Sequence, residues 1–242
     1  MSDLSARLAQ ETYNMLGKKS KEDRIKKINE NIKDTGYKAI HGKSNRDVVY
    51  FQNDDTKTIH IAHRGTDSSG KNHGKGKTGV DITADLMFAI GQEKHNKEFK
   101  KRRDTTSKLV KDIPDDYKLN MSGHSYGHGS MIDTIKNKKN VRDKLIKSGG
   151  LAEGYNGASS PFTKKASKAT KEALKNSVVH HRTNSDLVSK ASILNSDVGE
   201  VKTYKEKKSK KYHKAIPKHL QHVFNSLDQL NAHSLNNFIK NQ

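Results

Sequence analysis

Apolar side chains at Leu4, Leu8, Tyr13 and Leu16 share one face of a helix over residues 3–17, and Ile25, Ile28 and Ile32 repeat the pattern over 18–36. Ser20, with Asp23 three residues on, is a helix N-cap signal. The period then shortens. Residues 37–42, 46–54 and 57–65 are short runs, β-branched or aromatic, bounded by Asn, Asp and Gly. They predict three strands joined by tight turns. Residues 67–79 carry no apolar side chain and predict a long loop. Residues 80–92 suit a short helix or strand. The spacing over 95–113 predicts a helix with Phe99, Leu109, Val110 and Ile113 toward the core. A short strand follows at 117–123, and a helical period restarts over 129–137 through Met131, Ile132 and Ile135. Residues 151–163 read as a strand and a Gly/Ser/Pro loop, 164–177 as a polar helix, and 178–186 as a strand ending at Asp186. Residues 199–216 begin as a strand and become a Lys-rich loop, and 232–240 is again helical. No repeat of fixed period occurs. Strands alternating with helices imply an α/β layered fold with a mostly parallel central sheet. The expected organisation is one domain over 1–242, with the helices of 1–34 packed on it and a Lys-rich loop at 202–214.

Hydrophobic residues make up only 31% of the 242, so the core must be concentrated in a few segments. No apolar run approaches the roughly 20 residues of a membrane-spanning helix. The N-terminus has an acid near its start and no apolar h-region, unlike a secretory signal. The expected location is cytoplasmic or virion-associated. The absence of cysteine excludes disulfides, thiolate catalysis and Cys-based zinc sites. The formal charge of +20, nearly all from Lys, draws anionic partners: phospholipid surfaces, acidic proteins or nucleic acid. The basic clusters at 100–103, 136–144 and 205–211 carry no stacking motif for single strands, so nucleic-acid binding would be phosphate-driven and nonspecific.

The chemistry concentrates at Gly123-His124-Ser125-Tyr126-Gly127. A serine between two glycines, after a strand and before a helix, fits a nucleophile elbow. The glycines make room where side chains would clash, and the helix directs its positive end at the serine. The pentapeptide alone is a weak signal, and a Gly/Ser/His loop is its plain alternative. A serine nucleophile also needs a base oriented by a carboxylate. In the chain order Ser, acid, His, Asp186 stands after a strand and His233 late in the chain. Asp186 could equally cap a helix, and His213, His219 and His222 compete with His233. The segments "HSYGH" and "HHRTNSD" place His near His, but neither H-E-x-x-H nor a Cys/His pattern is present. No metal or cofactor is expected. His180 and His181, adjacent on a strand, should point to opposite faces.

Several segments in order resemble the class 3 (fungal-type) lipases of the α/β-hydrolase superfamily. The segment 59–66, "IHIAHRGT", is similar to that family's strand ending in an Arg-Gly-Thr turn. So are "DITADL" at 81–86, "MSGHSYGHGS" at 121–130, "GYNGASSPF" at 154–162, "HRTNSDLVS" at 181–189 and "NAHSLNNF" at 231–238. The resemblance runs from about residue 35 to the end. It implies an α/β-hydrolase fold with Ser125 as nucleophile, Asp186 as the orienting acid and His233 as base. It implies an oxyanion hole from Thr66 and the backbone N–H of Tyr126, with Gly123, His124 and Gly127 completing the elbow. It places a lid at 67–80, although this loop has no apolar face. His63 stands where the family has Phe, Tyr126 where it has Leu, and His128 where it has a second Gly.

The expected function is therefore hydrolysis of a carboxylic ester, an acyl lipid, at an anionic membrane surface, by a lipase- or phospholipase-like serine enzyme. The alternative is a lipase-fold structural or binding component of a larger assembly, such as a virus particle, with a basic surface and little or no catalysis.

Overall fold

A computed structural model describes residues 2–16, 18–65, 93–157, 166–184, 198–205, 235 and 238–239. The lid-like loop 67–80 and the Lys-rich segment beyond residue 205 lie outside the described residues.

Helix α1 (Ser2–Glu11) and helix α2 (Lys21–Asn31) form from the two amphipathic N-terminal segments. Ser20 caps α2: its Oγ accepts from the Asp23 N–H at 3.1 Å and donates to the Asp23 carboxylate at 2.8 Å. Strands β1 (Lys38–Ala39), β2 (Val48–Asn53) and β3 (Thr58–His63) follow, each antiparallel to the next. β1 is shorter than the expected 37–42 because the chain turns into a 3₁₀ segment, His41–Lys43. Helix α3 (Glu93–Lys111) leads to β4 (Lys118–His124). Then come α4 (Tyr126–Asn137), α5 (Lys139–Lys147), β5 (Ala152–Tyr155), α6 (Lys168–Leu174), β6 (Val178–Thr183) and β7 (Glu200–Tyr204). The described strands form one sheet in the order β1 to β7, and β3 to β7 run parallel. The strand-and-helix alternation in the sequence therefore builds the expected mostly parallel sheet.

Two expectations change. α4 begins at Tyr126, three residues before Gly129, so Tyr126, Gly127 and His128 are helical. The basic cluster that the sequence presented at 136–144 runs into a full helix, α5, which continues to Lys147. Its buried stripe is only Val141 and Leu145, an i, i+4 pair hidden among lysines.

Alternation along the strands divides the core between two faces. Val48, Tyr50, Ile59, Ile61, Leu119 and Met121 meet α3, α4, α5 and α6 through Val110, Met131, Ile135, Leu145 and Leu174. Val49, Phe51 and Ala62 face the other way, onto Leu8, Ile25, Ile28 and Ile32 of the N-terminal helices. Removing a side chain from the first face leaves a cavity that rigid neighbours cannot fill. Ile61→Ala, at a fully buried position, is expected to lower unfolding free energy by about 2–5 kcal/mol. Val201→Ala, 41% exposed on β7, should change it by no more than about 0.5 kcal/mol. Urea unfolding of both variants checks the contrast.

Candidate active site

Ser125 lies between the end of β4 and the first residue of α4, with φ 54° and ψ −124°. A non-glycine residue there is strained by about 1–3 kcal/mol and persists only when its surroundings enforce it. The surroundings do so. A Cβ on Gly123 would stand 2.6 Å from the Gly127 carbonyl and the His128 nitrogen. A Cβ on Gly127 would stand 2.2 Å from the His63 carbonyl oxygen. The helix start is thus pressed against both the strand that precedes it and the end of β3. The Ser125 N–H donates to the Tyr155 carbonyl at 3.0 Å, and the Ser125 carbonyl accepts from Gly129 at 3.3 Å. The elbow is hydrogen-bonded on both sides of its strained residue.

β3 ends beside β4 with His63 opposite Gly123. The turn that follows is gripped by two buried arginines. Arg64 donates to the carbonyls of Gly65 at 2.6 Å and Arg46 at 2.8 Å. Arg102, on α3, donates to the Arg64 carbonyl at 2.5 Å. Both guanidiniums reach Asp47 Oδ1, at 3.2 and 3.4 Å. Arg102 also lies over the Tyr126 ring, 4.9 Å from its centroid, and Phe99 packs on the same ring at 4.7 Å. Burial pushes the Tyr126 phenol up and the Arg102 guanidinium down from their ordinary values. Part of the 100–103 basic cluster is therefore internal: Arg102 grips this turn and Arg103 pairs with Asp133 at 2.5 Å. The signal was present as spacing, because Phe99, Arg102, Thr106 and Val110 lie on one inward face of α3.

His63 sits beneath the same turn. Ser130 Oγ donates to the Gly127 carbonyl at 3.1 Å, so it must accept from the Nδ1–H of His63 at 2.9 Å. The neutral ring then accepts at Nε2 from Thr106 Oγ1, at 3.0 Å. One imidazole joins β3, α3 and α4. Burial, with a smaller push from Arg102, brings His63 down to about 3. On the other face, His60 shares a 2.8 Å hydrogen bond with Ser122, and burial brings it down to about 4.

The two histidines flanking Ser125 diverge. His124 Nδ1 and the Tyr13 hydroxyl are 2.7 Å apart, and that hydroxyl also fills the space where Gly65 would carry a Cβ. His128 turns toward β5 and β6, where its Nε2 lies 2.7 Å from His180 Nδ1. His180 and His181 do face opposite ways, since His181 bonds Glu153 at 3.0 Å and Tyr204 at 2.8 Å.

Thr66, Asp186 and His233 lie outside the described residues. The described chain next to each of them lies near the carboxyl ends of the central strands β3 to β6. A Cβ on Gly65, the residue before Thr66, would stand 2.7 Å from the His124 carbonyl oxygen. β6 runs parallel to β5 and ends at Thr183, three residues before Asp186. Leu235, two residues after His233, clusters with Phe238 and Tyr155, the residue whose carbonyl holds the Ser125 N–H.

A parallel sheet with helices on both faces carries a serine at a strained strand-to-helix corner between close-approach glycines. The fold is that of the α/β-hydrolases. No protein-family model matches the chain, and no curated protein matches it. Solved structures similar to it include a mutant form of MDLA from Penicillium cyclopium, with 12% identity over 90% of this chain and 82% of that one, at a TM-score of 0.43. A lipase from Rhizopus microsporus var. chinensis shares 13% over 85% and 75%, at 0.43. The triacylglyceride lipase of Rhizomucor miehei shares 14% over 64% and 60%, at 0.36, so the chain spans 60% of that lipase's length. At these identities and TM-scores the likenesses decide nothing about chemistry, which rests on the geometry of this chain.

Two outcomes follow from that geometry. Gly127→Ala drives a methyl into the His63 carbonyl and should cost at least about 2 kcal/mol in urea unfolding. The second concerns acid. His60 and His63 are held neutral in the fold, whereas in the unfolded chain they bind protons below about pH 6.5. The unfolded state therefore takes up more protons, and stability falls as pH drops from 6.5 toward about 4 for His60 and about 3 for His63. Unfolding free energy measured between pH 7.5 and 4.5 should decline steadily, and replacing His63 by Asn should shallow the slope.

Proposed function

We propose that the protein is a serine hydrolase that cleaves a carboxylic ester, with acyl lipids as its substrate class. The observation that carries this reading is the strained conformation of Ser125, enforced by Gly123 and Gly127 at the carboxyl end of a central parallel strand. A loop serine serving only as a connector has no need of such strain.

In the proposed reaction the Ser125 hydroxyl attacks the ester carbonyl while His233 takes its proton. Asp186 orients the His233 ring and stabilises it when protonated. The negative charge developing on the carbonyl oxygen is held by the backbone N–H groups of Thr66 and Tyr126, beside the positive end of α4. His233 returns the proton to the departing alcohol. It then activates the water that releases the acid from Ser125. The position of the described neighbours of Thr66, Asp186 and His233 near the carboxyl ends of the strands around Ser125 supports these assignments. The arginine grip on the Gly65 turn supports a fixed oxyanion donor rather than one ordered by substrate. The +20 charge favours an anionic phospholipid surface as the place where the ester is met. A purely structural role would leave the strain at Ser125 without a use.

The test is hydrolysis of p-nitrophenyl esters of increasing acyl length by wild-type protein and by Ser125→Ala, Asp186→Asn and His233→Ala. Each variant is expected to lose at least about a thousandfold in kcat, with circular dichroism unchanged. Hydrolysis that survives Ser125→Ala would refute the proposal.

A further inference from the structure

His128 stands three residues after Ser125, in the first turn of α4, and is 6% exposed. Its ring occupies a slot opened by two glycines. A Cβ on Gly154 would stand 2.1 Å from the ring, and one on Gly157 would stand 1.7 Å from Nδ1. Neither glycine is among those with positive φ, so backbone conformation does not call for them; the ring does.

The hydrogen bonds of this ring fix its proton. The Val198 carbonyl can only accept, so the His180 Nε2–H donates to it, at 2.6 Å. Burial of His180 disfavours its charged form, and the uncharged ring that donates at Nε2 presents a lone pair at Nδ1, which accepts from the His128 Nε2–H, at 2.7 Å. His128 Nδ1 is then a bare lone pair, buried and without a hydrogen-bond partner among the described residues. The described titratable groups acting on His128 are all histidines: His180 and His181 on β6 and His124 at the end of β4. No carboxylate among the described residues offsets a charge there. Burial, reinforced by those rings, holds His128 well below the ordinary histidine range.

This chain of bonds ties together three places that matter to the proposed triad. His128 belongs to the elbow helix. His180 belongs to β6, which leads to Asp186. Val198 marks the return of the chain from the 185–197 segment into β7. We propose that His128 is a positioning residue: the His128–His180–Val198 relay staples β6 and the chain at Val198 to the Ser125 elbow, and a proton taken up at His128 Nδ1 releases the staple. The bare nitrogen is the one place where the relay accepts a proton without first breaking a bond. The resulting cation is buried against other imidazoles, so the ring leaves its slot and the elbow loosens. The proposal rests on the triad reading for its effect on catalysis but not for the staple itself.

The experiment compares wild type with His128→Gln, whose amide N–H can still donate to His180 Nδ1 but does not titrate. Amide-exchange protection factors over 123–129 and 178–183, and p-nitrophenyl ester hydrolysis, are measured from pH 7.5 to 5.0. In wild type, protection should fall at least tenfold more than in His128→Gln, and the ratio of activity at pH 5.0 to that at pH 7.5 should rise at least fivefold in the variant. Equal pH dependence in both proteins overturns the staple. Loss of protection without any esterase activity at either pH supports the staple and counts against the triad reading. Should His128→Gln fail to fold, long-range ¹H–¹⁵N spectra of wild-type imidazoles decide. His128 protonated at Nε2 and bare at Nδ1 at pH 7.5 supports the proposal, and a protonated Nδ1 overturns it.

Discussion

The backbone at Ser125 is the constraint from which the rest of this structure is best understood. Holding a serine at φ 54° and ψ −124° costs energy that nothing within the turn itself returns. The stabilisation comes from layers around it. Gly123 and Gly127 allow the start of α4 to press against β4 and β3, and the Tyr155 carbonyl receives the strained residue's N–H. Beneath the turn, the His63–Ser130–Thr106 chain fixes α4 to β3 and α3. Arg64, Arg102 and Asp47 hold the neighbouring turn. The hydrophobic core supplies most of the gross stability by burial. These polar clamps convert it into one geometry at one corner.

The clamps share an unusual chemistry. His60, His63, His124, His128, His180 and His181 are all buried, among 13 histidines in the chain. Histidine brings a donor and an acceptor on one rigid ring, so it can bridge two elements where an aliphatic side chain would only fill space. The same choice ties the fold to a proton balance. Desolvation holds His60, His63 and His128 neutral, so acid acts on the interior near Ser125 as well as on the surface.

Much of this was legible in the sequence, for identifiable reasons. The amphipathic spacing of Ile25, Ile28 and Ile32 and the β-branched runs of β2 and β3 name their elements because burial pattern and local preference agree there. The elbow was visible because the close approach of α4 to β4 and β3 leaves room only for glycine two positions before and two after Ser125. α5 was obscured because only two fully buried residues, Val141 and Leu145, with the half-buried Ile146, make its apolar stripe among lysines. Arg102 was hidden for the opposite reason. A basic residue in a run of four basic residues reads as surface, and only its helical phase with Phe99 and Val110 betrays burial. The relay through His128, His180 and Val198 joins residues far apart in the chain. No local pattern could show it, although Gly154 and Gly157 mark the slot that it fills.

The central claim is that the strain at Ser125 serves to present a nucleophile. A fluorophosphonate reacts covalently only with an activated serine, so the most direct measurement is its reaction with the intact protein, followed by peptide mass mapping of the adduct. The account predicts one phosphonyl group per chain, on the peptide containing Ser125, abolished by prior denaturation. A folded protein that remains unmodified, or an adduct that maps to another serine, would contradict it.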